Sequence, residues 1–275
     1  MGALMSYENY ADSATVTNNS DGTEKQTETN VQVRQLTKVF RQSLSLTSPL
    51  ESVILDFDLG SARSISYVGL FAHNIDDGTY AVYLGTSAGA SDVATKTGTL
   101  WQGVSDDAKQ QHVIFPQTYS AQHVRIILTP AVALEVDLGR VWIDDPWTPK
   151  VSIDYDHIVE DQSTSQRSIG ASKYAYEKTK FRVSRLTLLN MTEAQALGDS
   201  TDNTVRSAHH MDVTVGTSRP LVIIPETSGA DPEQVIHKTG YYGSIRTSTP
   251  ITLVMSREVA GGWLYRKTLT FEEER

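Results

Sequence analysis

Gly85-Thr86-Ser87-Ala88-Gly89 spells G-x-S-x-G. That is the spacing of a nucleophile elbow, a strained strand-to-helix turn that presents a serine hydroxyl to a histidine base. The strand is there, as "TYAVYL". The helix is not, because "ASDVATKTGTLW" has no apolar stripe at 3.6-residue spacing. An acid and a later histidine complete such a site, and chains of this length contain both by chance. Ser87 is therefore read as part of a small-residue loop at the end of a strand.

His209-His210-Met211 offers two imidazoles. On a strand, adjacent side chains point to opposite faces, so the pair does not chelate one ion. The acidic pairs Asp56/Asp58, Asp76/Asp77, Asp144/Asp145 and Asp154/Asp156 have the oxygen chemistry for calcium. None sits in a twelve-residue calcium loop, and they are read as turn chemistry and solvated edges. Paired carboxylates also serve glycoside hydrolysis, but only at separations that sequence does not give. For sugar binding, Trp101 in "GTLWQG" is a candidate platform, with Asn74, Asp76 and Asp77 as hydrogen-bonding neighbours. The preferred reading nonetheless places Trp101 in the core, since tryptophan is mostly buried.

The bulk composition narrows the classes. The chain has 275 residues, a net charge of -9 and no cysteine. Disulfides, thiolate zinc sites and a cysteine nucleophile are excluded. Without a cluster of Lys and Arg, nucleic acid is not an expected partner. Apolar runs are too short to span a membrane as helices. The start "MGALMSYENY" lacks a basic segment followed by an apolar core, so no secretory leader is expected. No cofactor, metal or catalytic residue is expected, and the protein is read as non-enzymatic.

Period-2 alternation supplies the framework. Tyr80, Val82 and Leu84 share one face, as do Val124, Ile126 and Leu128, and Trp263, Tyr265, Leu269 and Phe271. "SISYVGLFAHN" is apolar on both faces, as in an inner strand. In "KFRVSRLTLL", Phe181 and Val183 are out of phase with Leu186 and Leu188, which predicts a β-bulge near Ser184-Arg185. "NMTEAQALG" predicts one short helix, capped by Asn190 and stopped by Gly198; no other helix is predicted. The polar tract Asn18 to Asn30 reads as an exposed loop. "IDDPWTPK" is the boundary, with two prolines interrupting strand pairing. The expectation is all-β, with an N-terminal jelly-roll β-sandwich over 1–147. A β-barrel or split-barrel domain with the one helix follows over 148–275.

Three stretches carry a resemblance. "YENYADSATVTNNS" holds Tyr7, Asn9, Asp12, Ala14 and Thr15. "SVILDFDLGSARSISYVGLFAHNI" turns at Asp58-Leu59-Gly60 and closes at His73-Asn74. "QHVRIILTPAVALEVDLGRVWID" holds Arg125, Leu138-Gly139-Arg140 and Trp142. Together, over about residues 5 to 147, they resemble discoidin-type (galactose-binding-like) domains in the form found in tailed-phage virion proteins. "KTKFRVSRLTLLNMTEAQAL", "RPLVIIPET", "GYYGSI" and "YRKTLTFEEE" make the second half similar to the barrel of phage distal-tail and tail-tip proteins. The order of the two domains is the reverse of that in the best-known distal-tail proteins. The resemblance implies a structural protein of the virion tail, at the tail tip or baseplate, assembled in the host cytoplasm. Its implied partners are other tail or baseplate proteins, copies of itself in a ring, and host-surface glycan. The alternatives are a lectin-like module whose main role is glycan adhesion, and a serine hydrolase.

Overall fold

The computed structural model describes residues 3–45, 51–101, 109–132, 135–149, 152–161, 163–167, 173–176, 180–198, 206–227, 232–259 and 262–274. These residues are mostly β-strand and divide into two units. One holds Glu8–Pro146 with Glu233–Gly240, and the other holds Met1–Tyr7, Trp147–Pro232 and Tyr241–Glu274. Two segments thus depart from a single cut at residue 147. The first strand, β1 (Leu4–Ser6), adds antiparallel to a strand of the second unit, Leu4 opposite Ile224.

The first unit is a sandwich. Its larger sheet contains β2 (Thr15–Asn18), β5 (Val53–His73), β6 (Gly78–Gly85), β7 (Ala94–Thr99), β8 (Lys109–Pro130) and β10 (Arg140–Asp144). Its smaller sheet contains β3 (Thr23–Gln26), β4 (Phe40–Ser43) and β9 (Glu135–Leu138). All pairings are antiparallel. The tract read as a loop thus contains β3, though its residues are exposed.

Alternation selects the core. Tyr80, Val82, Leu84, Val124, Ile126 and Leu128 are buried with Phe40, Val136 and Leu138 of the smaller sheet. Each such side chain contributes about 1.5–3 kcal/mol on burial. The inner-strand reading of Ile65–Phe71 holds: that half of β5 lies between β10 and β8, with Ile65, Tyr67, Val68, Leu70 and Phe71 all buried. Gly60 takes the positive φ expected of it (74°), and Asp58 accepts a bond from its amide at 2.9 Å. The ends of the sandwich meet through side chains. Asn9 accepts from the Ile143 amide at 2.9 Å and donates to the Val141 carbonyl at 3.0 Å. Nη2 of buried Arg140 donates to both carboxylate oxygens of Asp12, at 2.6 and 2.8 Å.

The second unit is built on a seven-stranded antiparallel sheet. It joins β1, β11 (Ser152–Glu160), β14 (Phe181–Met191), β15 (Pro220–Ile224), β16 (Tyr241–Ser248), β17 (Thr252–Val259) and β18 (Gly262–Glu273). The strands β12 (Thr164–Arg167) and β13 (Lys173–Tyr176) pair separately. Three helices occur among the described residues, not one: α1 (Glu193–Leu197), α2 (Ala208–Thr214) and α3 (Pro232–Thr239). α1 is the predicted helix. Its cap is Thr192, whose side chain forms a capping box with Gln195, and Gly198 ends it at φ 88°. α2 replaces the strand read through His209-His210, because Ala208, Met211 and Val215 are buried at helical spacing.

The predicted bulge is misplaced by several residues. β11 and β14 pair without interruption from Phe181 to Leu189. The register shift falls between Leu188 and Met191, where Asn190 adopts φ 59°. Leu188 and Met191 are three apart, so a regular strand would put them on opposite faces; the extra residue returns both to one core. Val183 is buried on the opposite face and needs no bulge. Trp263 also departs from its expected core face. It lies beside the tip of the β17–β18 hairpin and is 61% exposed, while Lys267 occupies the inward row with Leu269 and Phe271.

Candidate functional site

At one rim of the sandwich, β5 ends at His73 and the chain turns through residues 74–77 into β6. Backbone bonds fix that turn: the Ala131 amide donates to the Asp77 carbonyl and the Leu100 amide to the Gly78 carbonyl, each at 2.9 Å. Asn74 donates to the Glu135 carbonyl at 2.6 Å and accepts from the Asp137 amide at 2.8 Å. Its amide thus clamps the turn to β9. Asp76 and Asp77 are exposed, and Asp76 forms an ion pair with Lys109, which stands opposite His73 on β8.

Trp101 stands at this rim, partly buried. Its amide donates to Gln111 Oε1 at 2.7 Å. Its ring stacks on His237 of α3, with centroids 5.0 Å apart and planes at 17°. Neither simple reading of Trp101 holds alone: the indole is braced by packing yet retains exposed surface. His237 is buried and donates from Nδ1 to the Glu233 carbonyl at 2.7 Å, while Nε2 accepts from the His112 amide at 3.1 Å. His112 bonds the Tyr67 hydroxyl through Nδ1 at 2.7 Å. Burial holds the His237 imidazole below the usual histidine range. His73 is pushed down to about 4, first by burial and then by Lys109 and His237.

Sequence reasoning missed His237 because it predicted no helix beyond "NMTEAQALG". The signal was present: Pro232 opens α3 at the position that tolerates a missing N–H, and Gly240 follows its end.

Of the four residues proposed for sugar contact, Asp76 is tied to the strand that anchors Trp101, through Lys109 and Gln111 of β8. Asn74 faces β9 with both polar ends engaged. Asp77 holds the turn by its carbonyl and leaves its side chain exposed.

Ser87 lies in an exposed loop between the antiparallel strands β6 and β7, so no strand-to-helix elbow forms there. Thr86 and Asp92 close the loop, through Thr86 N to Oδ1 at 3.0 Å and Thr86 Oγ1 to Oδ2 at 2.6 Å. Beneath it Arg125 forks onto Asp56 at 2.6 and 2.7 Å. Burial pushes the Asp56 carboxyl up, but bonds from Arg125 and Asn19 outweigh it and hold the group below its ordinary value.

A serine–histidine pair does occur in the other unit, where Ser184 Oγ is 3.1 Å from His157 Nδ1. The two are direct cross-strand partners, and Ser184 is fully buried, which denies a substrate access to the hydroxyl. In that unit His210 Nδ1 lies 3.2 Å from the Tyr7 hydroxyl, and His209 is exposed. Among the described residues no group of three or more His, Cys, Asp or Glu could hold a metal ion. Asp145 instead accepts from Ser66 and Thr118 at 2.6 and 2.9 Å.

No protein-family model matches the chain, and no curated protein does. Solved structures do. A carbohydrate-binding module of Clostridium perfringens, CpGH89CBM32-6, is 15% identical, with TM-score 0.35, covering 50% of this chain and 99% of its own. Chitosan-binding module 1 from the chitosanase/glucanase of Paenibacillus sp. IK-5 is 16% identical, with TM-score 0.37, covering 50% and 100%. The lectin binding domain of Lectinolysin, solved as a His 62 mutant with Lewis b, is 14% identical, with TM-score 0.39, covering 50% and 96%.

Proposed function

We propose that the protein is a non-enzymatic carbohydrate-binding protein, whose sandwich contacts glycan at the rim around Trp101. The braced, partly exposed indole supports this reading best. An indole face matches the apolar C–H face of a sugar ring, and a ring already held by His237 loses little freedom when a ligand stacks on it. Lys109 and Asp76 stand by as polar groups for hydroxyls, and Asp77 adds an exposed carboxylate. A glycan array tests it. Wild-type protein should bind a defined set of glycans, and Trp101→Ala should weaken that binding at least about tenfold, the effect of losing roughly 1.4 kcal/mol. No signal from folded wild-type protein removes the reading.

A structural role at a phage tail tip or baseplate is the second reading, and the virion tail is its location. The edge of the seven-stranded sheet favours it. Among the described residues β11 ends the sheet, and it exposes Ile158 and Val159 at 58% and 54% on its two faces, an edge suited to neighbouring subunits in a ring. Negative-stain microscopy should then reveal rings or attachment to tail components. A persistent monomer that binds neither would remove it.

A further inference from the structure

The way α3 is held on the sandwich has a specific proton requirement. The Glu233 carbonyl can only accept, so His237 Nδ1 must carry the proton that bonds it at 2.7 Å. Nε2 must then be the lone-pair nitrogen, and it accepts from the His112 backbone N–H at 3.1 Å. A proton on Nε2 would set two donors against each other in a buried contact. We propose that His237 is a pH-sensitive latch, which docks α3 on β8 while neutral and releases it when protonated.

The surroundings are consistent with this. His237 is 3% exposed, between the Trp101 ring and the edge of His112, the latter with centroids 5.5 Å apart at 61°. Among the described residues, β8 contributes Lys109 and His112, and β5 contributes His73 and Tyr67. The 74–77 turn contributes Asp76, and α3 itself contributes Glu233. Charges on His73 and His237 oppose each other, and Lys109 opposes one on His73. Glu233 favours a charge on His237, and Asp76 is engaged with Lys109. Burial outweighs Glu233, so the docked imidazole holds its proton less tightly than a free one. Besides this ring, Gln110 Nε2 fastens the segment, donating to the Gly240 carbonyl at 2.5 Å and the His237 carbonyl at 3.2 Å. Those bonds do not titrate, so the histidine supplies the pH dependence.

Linkage gives the sign. The free imidazole titrates near 6.5 and the docked one lower. Opening of α3 therefore grows as pH falls below about 6.5, by up to about tenfold per pH unit until the docked group itself titrates. The test is amide hydrogen exchange on the full chain between pH 7.5 and 5, corrected for the intrinsic rate. Residues 233–240 should lose protection across that range, while residues 123–128 of β8 stay protected. His237→Phe keeps an aromatic ring against Trp101 but has no proton to gain. His237→Gln retains a neutral acceptor, and it carries the test should the phenylalanine variant not fold. Both should show a flat profile over 233–240. A flat wild-type profile overturns the latch, and so does a wild-type slope that persists in the folded variants.

Discussion

Gly89 lies so close to the Arg125 guanidinium that no side chain fits between them. A Cβ at Gly89 would sit 2.6 Å from Nη2, and Asp56 holds that guanidinium in place by two bonds. Gly89 also has φ 75°, a region that side chains disfavour. Gly89→Ala should therefore cost about 1–3 kcal/mol. Ser87→Ala, two residues away and exposed, should stay within about 0.5 kcal/mol of wild type. Urea denaturation of both variants measures the contrast. Equal effects would mean the loop is not seated on Arg125.

The Asp56–Arg125 pair predicts an acid response. A carboxyl held below its ordinary value stabilises the fold above the usual carboxylate range, and loses that contribution as pH falls through its folded value. Side-chain exposures of 11% and 27% place the pair between buried and surface cases. Arg125→Ala should cost about 2 kcal/mol at neutral pH and flatten part of the acid limb. Melting temperatures from pH 7 to pH 3 check both.

In the second unit, Lys267 is 1% exposed on its side chain and donates to Asp212 at 2.6 Å and to the Thr249 carbonyl at 3.0 Å. Asp212→Ala leaves a buried ammonium without its counter-charge and should cost about 3 kcal/mol. Asp212→Ala combined with Lys267→Met should recover most of that loss. A double variant as unstable as the single one would show that packing, not charge, ties α2 to β18.

His73 predicts a second pH effect with its own sign. Its folded value near 4 lies below the unfolded one, so the unfolded chain binds the proton first and stability falls as pH drops from about 6.5 to 4. The loss should reach roughly 3 kcal/mol at pH 4, and His73→Phe should remove it. Denaturant midpoints at pH 7, 5.5 and 4.5 give the comparison.

Much of the sandwich was legible in the sequence, because strand alternation is local. Tyr80, Val82 and Leu84 need only each other's spacing to declare a buried face, and Gly60 needs only its own missing side chain to permit a turn. Gly198 announces the end of α1 in the same way, whereas its cap is Thr192 and not the expected Asn190. The errors arose where a local pattern had two solutions. A phase change in β14 requires a bulge only if both apolar pairs seek one core, and Val183 and Leu186 turned out to be buried on opposite faces.

By itself, then, the sequence determined the β character, a turn at Gly60 and the loop at Ser87, since each follows from spacing and backbone sterics within a few residues. Only the tertiary structure decided the pairing of His237 with Trp101, the fork of Arg125 on Asp56 beneath Gly89, and the return of Leu4–Ser6 to β15. Those contacts join residues far apart in the chain, and no local periodicity encodes which distant partner arrives.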